Sequence, residues 1–141
     1  MPVVEGVHDG RSLIALMLIA HPDDTRLESP ISARGLIDTG ASVTAVSRDI
    51  AETLNLRSEG KRTITNTHGQ ARSTQYRFRV GLITANGDGR LGAASLPYLL
   101  DDLVFGIDII ATASFDVLIG MDNLSLGDLY ISRKRTWSFT L

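Results

Sequence analysis

The sequence contains no cysteine among its 141 residues. Disulfide bridges, thiolate nucleophiles and thiolate metal sites are therefore all excluded. Because a chain without cysteine folds in any redox environment, this absence does not identify a compartment. Proline is scarce as well, with 4 residues, and no low-complexity tract or obvious linker divides the chain. We therefore expect a single domain that spans residues 1–141.

The chain also lacks an excess of either charge. It carries 14 Lys and Arg residues against 16 Asp and Glu residues, a net charge of -2. This balance gives no electrostatic basis for binding nucleic acid or an anionic membrane surface. The one basic cluster, Arg133-Lys134-Arg135, lies between two strand-like segments, and we interpret it as a solvated hairpin turn.

Long hydrophobic runs are missing too. The longest, "LIALMLIA" at residues 13–20, is far too short to span a bilayer. It is preceded by Glu5 and Asp9 against a single Arg11, whereas a secretory signal has a positive start and a small-residue cleavage site. We expect a strand buried on both faces here. With neither a signal nor a membrane span in view, we favour a cytoplasmic location.

Strand patterns dominate what the sequence does contain. In residues 76–82 the large apolar side chains recur with a period of two, with Arg77 and Arg79 between the first three, and Asn86-Gly87 is the strongest short hairpin signal. Only two segments look helical: residues 47–56, with Ser47 as a candidate N-cap, and residues 121–126. Further strands are expected at residues 12–20, 34–37, 103–110 and 116–119, and residues 128–133 and 136–141 are expected to pair as a terminal hairpin.

One short motif, His21-Pro22-Asp23-Asp24, is similar to the metal-binding motif of zinc-dependent N-acetylglucosamine deacetylases. That family continues with Glu where this chain has Thr25, and it needs a further histidine ligand downstream. The other histidines here, His8 and His68, each stand alone, and the crossover helices of that family's parallel sheet are not visible. Because proline and aspartate also make a good turn, we interpret the motif as a surface turn and expect no metal.

A second motif, "LIDTGAS" at residues 36–42, is more specific because of what surrounds it. It lies within "GLIDTGASVTAVSRDIAETLNL", and a later segment, "FDVLIGMDNL", again places Leu-Ile before a turn and a short helix. Between them lies "TITNTHGQARSTQYRFRVGLI". Over about residues 30–126 the chain thereby resembles the retropepsin-like aspartic proteases. The resemblance implies an all-β fold: a closed β-barrel-like domain with one or two short helices and a flap hairpin.

The resemblance also implies a chemistry. An aspartic endopeptidase uses two carboxylates that share one proton, so that one acts as base and the other as acid on a water molecule. Asp38 is the expected catalytic residue, within an active-site loop completed by Thr39, Gly40, Ala41 and Ser42. The Thr39 hydroxyl is expected to tie two such loops together, and Gly40 to permit a tight backbone approach.

Only one Asp-Thr-Gly is present, so the second carboxylate has to come from a second copy. We therefore expect a homodimer with Asp38 of each subunit on the twofold axis, a peptide or protein substrate, and no cofactor. Residues 136–141, which carry Trp137 and Phe139, are either a strand that pairs across this axis or ordinary core.

The resemblance assigns further residues to the site. It implies that Leu118, Ile119 and Gly120 pack behind the catalytic loop, with Met121 where retroviral relatives carry a bracing Arg. It implies a flap tip that binds substrate, formed by Thr67, His68, Gly69 and Gln70, although the alternative for His68 is an exposed turn residue.

Two questions about activity stay open at this stage. Ala41 stands where pepsin-type loops carry a hydroxyl, from which we expect a pH optimum less acidic than pepsin's, at roughly pH 4.5 to 6.5. The alternative to an enzyme is a catalytically weak binding or dimerisation module of the same fold, and a zinc deacetylase is a distant third.

Overall fold

A computed structural model of the chain describes residues 2–66, 68–84, 97–110 and 114–141. These residues are mostly β-strand, with two short helices. In chain order the elements are β1 (Val3–Val7), β2 (Leu13–Ala20), β3 (Ile31–Ile37), β4 (Ala45–Ser47), α1 (Arg48–Thr53), β5 (Ser58–Asn66), β6 (Gly69–Leu82), β7 (Tyr98–Leu99), β8 (Val104–Ile109), β9 (Val117–Ile119), α2 (Met121–Leu124), β10 (Asp128–Ile131) and β11 (Thr136–Thr140).

The larger sheet curls into a rough barrel. Its strands follow the order β2-β3-β9-β4-β8-β6-β5, and β2 also pairs with β6, which brings the path back to its start. The interior is filled by apolar side chains that alternate along the strands, among them the fully buried Met17, Ile19, Phe78 and Val117. The predicted fold class, an all-β barrel-like domain with one or two short helices, is confirmed.

Two parallel pairs interrupt this mainly antiparallel sheet, and they position the site. In one, β3 runs parallel to β9 with Ile37 opposite Ile119; in the other, β4 runs parallel to β8. The two β3 neighbours, β2 and β9, therefore hold both edges of the strand that ends immediately before Asp38.

A second, three-stranded sheet has the order β1-β11-β10. Its middle strand buries Trp137 and Phe139 in the core, and Gly6 of β1 lies so close to the indole that a Cβ there would come within 2.5 Å of its Nε1. Because β11 is paired within its own chain on both edges, it has no free edge for a partner strand. Of the two alternatives for this segment, the structure supports core packing.

Helix α1 begins where the sequence predicts, since the Ser47 hydroxyl accepts a hydrogen bond of 3.2 Å from the Ile50 amide. It buries Ile50 and Ala51 against the barrel. The second helix, α2, is a single turn that follows β9 directly, and it buries only Leu124.

The structure corrects two strand predictions and adds strands that were not predicted. Strand β2 is not buried on both faces, because Leu16 is 56% exposed. Strand β3 starts at Ile31, three residues earlier than expected, because it follows β2 along most of its length. Strands β1, β4 and β7 were not predicted at all. The hairpin expected at Asn86-Gly87 lies outside the described residues.

Two further predictions concern the basic cluster and membrane-spanning segments. Residues 133–135 form the exposed turn between β10 and β11, as expected from their charge. Within the described ranges, no helix is long and apolar enough to cross a membrane.

Candidate active site

Asp38 is the first residue after β3, and its backbone continues the pairing of that strand with β9. Its amide donates a hydrogen bond of 3.0 Å to the carbonyl oxygen of Ile119. The strand before it is held on both sides, so the position of Asp38 is set by the barrel rather than by a free loop.

The loop folds back on the Asp38 side chain. The Gly40 amide donates to Asp38 Oδ1 over 2.8 Å, and the Ala41 amide donates to the Asp38 carbonyl oxygen over 3.3 Å. The Asp38 residue is half-buried, whereas Thr39, Gly40 and Ser42 are exposed. A carboxylate that accepts a backbone amide at one oxygen keeps its other oxygen available for a second group.

The segment after β9 lies directly against this loop. The Met121 amide donates 2.8 Å to the Ala41 carbonyl oxygen, and a Cβ at Gly120 would come within 2.6 Å of the Val43 carbonyl oxygen. Only glycine permits this approach. At Gly40, by contrast, an added Cβ would lie 3.2 Å from Asp38 Oδ1, so the tight backbone approach expected there occurs mainly at Gly120.

A buried threonine ties the end of the loop to α2. Thr44 is 0% exposed, and its hydroxyl donates to Asp122 Oδ1 over 2.8 Å while accepting from the Gly120 amide and from Asn123 Nδ2. The Thr44 amide donates 3.0 Å to the other Asp122 oxygen. We call this group (Thr44, Gly120, Asp122 and Asn123) the Thr44 clasp.

Asp38 and Thr39 open into a cleft of about 430 Å³. Its walls mix apolar and polar side chains, and among the described residues that line it Asp38 is the only carboxylate. The other lining residues are His8, Gly10, Arg11, Ser12, Leu13, Leu36, Ile37 and Ile131.

The wall formed by residues 8–12 is an ordered turn. The His8 ring accepts from the Gly10 amide at Nδ1, so its proton is on Nε2, which donates 3.0 Å to the Ser132 carbonyl oxygen. The amides of Ser12 and Arg11 donate to Asp9 and lower the pKa of its carboxyl group. This turn is therefore preformed beside Asp38 in the single chain.

The residues predicted as a flap lie on the long hairpin of β5 and β6. His68 lies in its turn, and Gly69, the first residue of β6, pairs with Asn66 at a φ of +118°, a conformation that favours glycine. His68, Gly69 and Gln70 are exposed, and none of the three lines the cleft around Asp38 in this chain. Thr67 lies outside the described residues.

The His21-Pro22-Asp23-Asp24 segment forms a surface turn, as predicted. Amides of Ser29 and Glu28 donate to the Asp24 carboxylate and lower its pKa. In the part of the chain that the structure describes, no three His, Cys, Asp or Glu side chains are grouped so as to hold a metal ion.

Comparison with known proteins identifies the family. The model of a family described as aspartyl protease matches residues 27–123, a span that includes both the Asp38 loop and the Gly120 segment. This chain belongs to the aspartyl protease family. A search of the curated proteins finds no match.

A solved structure of a retropepsin-like aspartic protease shares the fold. A retropepsin-like aspartic protease from Rickettsia conorii superposes with a TM-score of 0.59 at 14% identity, over 97% of this chain and 89% of the other. The retroviral protease-like domain of Ddi1 from Leishmania major matches with a TM-score of 0.41 at 13% identity, over 92% of each chain. The retropepsin-like resemblance of the sequence is confirmed at the level of family and fold.

Sequence reasoning missed two parts of this candidate site. The turn at residues 8–12 carries an Asp-Gly signal, but nothing in the sequence places it beside Asp38. The bonds of Thr44 to Asp122 join residues 78 positions apart, which the pairing of β9 with both β3 and β4 brings together. The Leu118-Ile119-Gly120 segment does lie against the Asp38 loop.

Proposed function

We propose that this chain is one subunit of a homodimeric aspartic endopeptidase, in which two copies each contribute Asp38 to a shared active site. The observation that carries the proposal is the placement of Asp38. It follows a strand held on both edges, with its carboxylate fixed by the Gly40 amide, and it opens into a cleft with no second carboxylate among its described lining residues.

The lone carboxylate is the reason for proposing a dimer. Hydrolysis of an amide by this route needs one ionised and one protonated carboxyl group close enough to share a proton. The ionised group takes a proton from water as the water oxygen attacks the peptide carbonyl carbon. In the same step the protonated group donates its proton to the carbonyl oxygen, which gives a tetrahedral diol. The group that took the proton from water then passes it to the leaving nitrogen as the C–N bond breaks, and a diol hydroxyl returns its proton to the other carboxylate. A twofold axis beside Asp38 supplies both groups from one sequence position.

The walls of the cleft suggest the substrate class. Leu13, Leu36 and Ile131 offer apolar surface next to Asp38, which fits apolar side chains on either side of the cleaved bond. The exposed hairpin of β5 and β6 is the proposed flap, whose main chain at Gly69 and Gln70 would bind an extended peptide by strand-like hydrogen bonds.

The test is cleavage of a diverse peptide library, read by mass spectrometry between pH 3 and pH 8, for wild type and Asp38→Asn in parallel. We expect cleavage by wild type that pepstatin inhibits, and none by Asp38→Asn, which keeps the side-chain shape but removes the ionisable group. Cleavage that survives in Asp38→Asn contradicts the proposal. Absence of cleavage at concentrations where sedimentation shows a dimer favours the binding or dimerisation module.

A further inference from the structure

The Thr44 clasp contains a hydroxyl whose hydrogen-bonding capacity is filled completely. The hydroxyl oxygen accepts two hydrogen bonds, one from the Gly120 amide at 3.2 Å and one from Asn123 Nδ2 at 2.7 Å. Both of these groups can only donate, so the single hydroxyl proton is left for Asp122 Oδ1 at 2.8 Å. The clasp therefore has one consistent arrangement of protons.

Asp122 accepts both donors of Thr44, the hydroxyl at one oxygen and the amide at the other. This pair of bonds needs two acceptor oxygens, which an ionised carboxylate provides and an amide does not. The Asp122 residue is exposed at the surface, whereas Thr44 is fully buried. A change at position 122 thus alters the clasp without removing any buried apolar group.

The clasp is one of three attachments between the loop of residues 38–44 and the segment of residues 119–123. The other two are backbone bonds, from the Asp38 amide to Ile119 and from the Met121 amide to Ala41. Those bonds can form with many side chains. Within the clasp, the bonds from Gly120 and Asn123 to the Thr44 hydroxyl do not involve Asp122, whereas the two bonds that Thr44 donates both end on its carboxylate. The Thr44 carbonyl oxygen also accepts from the Ile107 amide at 3.0 Å, so the strand that follows stays attached to β8 without the clasp.

We propose that Asp122 is a positioning residue, which fixes the loop that carries Asp38 by holding both donors of Thr44. The proposal rests on the proposed function, since it concerns the same carboxylate. It assigns a structural role at the site to an exposed acidic side chain that lies outside the Asp38 cleft.

The kinetic test compares Asp122→Asn with Asp101→Asn, a matched change at an exposed loop residue outside the cleft and the clasp. We expect kcat to fall about tenfold to a hundredfold in Asp122→Asn, with KM changed less than about twofold, because a displaced catalytic group harms the reaction more than binding. The two limbs of its pH–rate profile should also draw together, since two carboxylates that are farther apart influence each other less. Asp101→Asn should match wild type.

A loss of activity through unfolding alone would look different. It would lower the fraction of active protein, as measured by sedimentation and circular dichroism, and would leave KM and both limbs of the pH–rate profile unchanged. That result overturns the proposal. A wild-type kcat in Asp122→Asn overturns it as well. Thr44→Ser, which keeps the hydroxyl, should retain most activity. Thr44→Val, which lacks it, should behave like Asp122→Asn or fail to fold.

Amide hydrogen exchange tests the clasp without relying on catalysis. The Gly40 amide donates to Asp38 Oδ1, so its protection reports the position of that carboxylate. We expect Asp122→Asn to speed exchange at Gly40 and Thr44 by about tenfold or more, with the β2 and β6 amides unchanged. Unchanged exchange at Gly40 overturns the positioning role. Faster exchange in a protein that cleaves nothing supports the clasp and counts against the proposed function alone.

Discussion

Within the loop that follows Asp38, the side chain of Ala41 bears most directly on the expected pH dependence of activity. The Gly40 amide is a donor to the Asp38 carboxylate, whereas the Ala41 methyl group has no hydrogen to donate. Hydrogen bonds to the ionised form of a carboxylate favour that form at lower pH. The acid limb of the pH–rate profile is therefore expected at a less acidic pH than in a loop that carries a hydroxyl at this position.

We predict that Ala41→Ser shifts the acid limb of kcat/KM to lower pH by up to about one unit, because a hydroxyl at this position adds a donor to the ionised carboxylate. The wild-type optimum is expected at about pH 4.5 to 6.5. The measurement is a pH–rate profile on one peptide substrate from pH 2.5 to 8.

Ala41→Gly is the control, because it changes the same side chain without adding a hydroxyl. Its acid limb should stay where the wild type has it. An acid limb that moves equally in both variants would assign the effect to backbone flexibility, and a wild-type rate still rising below about pH 3 would contradict the reasoning about alanine.

At the scale of elements, Asp116 joins three strands of the barrel just before β9. Its amide donates to the Arg34 carbonyl oxygen, its own carbonyl oxygen accepts from the Ser47 amide, and its carboxylate forms an ion pair with Arg34 at 3.1 Å. The hydrogen bond from the Arg34 side chain lowers the pKa of the Asp116 carboxyl group. Because β9 positions the segment behind Asp38, this ion pair helps to hold the site from the opposite end of the strand.

The lowered pKa makes a prediction about stability. A carboxyl group whose pKa is lower in the folded state stabilises the fold above its unfolded pKa of about 3.9, and this contribution is lost as pH falls through the folded value. Asp116→Asn should therefore lower the free energy of unfolding by about 1 to 2 kcal/mol at pH 7, and the difference from wild type should shrink below about pH 4.

Urea unfolding of both proteins at pH 7, 5 and 3, at one protein concentration, measures this difference. Asp128→Asn, an exposed carboxylate on β10, is the control and should stay within about 0.5 kcal/mol of wild type throughout. A difference for Asp116→Asn that persists undiminished at pH 3 would show that the ion pair is not its cause.

The strands differ in how well they can be predicted from the sequence. The strands with a clear apolar alternation, such as the half of β6 that carries Phe78 and Val80, were predictable because their burial pattern is local. Strand β1 was not, because "VVEGV" becomes a strand only by pairing with β11, which lies more than a hundred positions later. Strands β4 and β7, with three and two residues, carry no periodic signal of their own.

The same distinction applies to the site. Asp38 and its Thr-Gly neighbours form a contiguous motif, so the sequence identifies them directly. The partners of Thr44 are separated from it by 76 to 79 positions, and their contact depends on the pairing of β9 with β3 on one side and β4 on the other. Long-range side-chain bonds of this kind follow from topology, which a single sequence specifies only indirectly.

At the scale of the whole molecule, the arrangement of the terminal strands limits how two copies can associate. Strand β11 has both edges occupied within the chain, so only β1 and β10 remain as edges of the three-stranded sheet. Ile131, at the end of β10, lines the cleft of Asp38 and is 54% exposed. The side of this sheet that is nearest to Asp38 is therefore not fully covered by the single chain.

If activity needs two Asp38 residues, a subunit with Asp38→Asn should inactivate the wild-type subunit with which it forms a mixed dimer. We predict that co-refolding a fixed amount of wild type with an equal amount of Asp38→Asn leaves about half of the activity, and that a ninefold excess leaves about a tenth, because mixed dimers hold only one ionisable carboxyl group. The same additions of an inert protein should leave the activity unchanged. Activity that stays constant as Asp38→Asn is added, while sedimentation shows mixed dimers, would mean that each chain acts with its own carboxylate and that the shared site is wrong. A proportional decrease would assign the missing carboxylate of the cleft to the second copy.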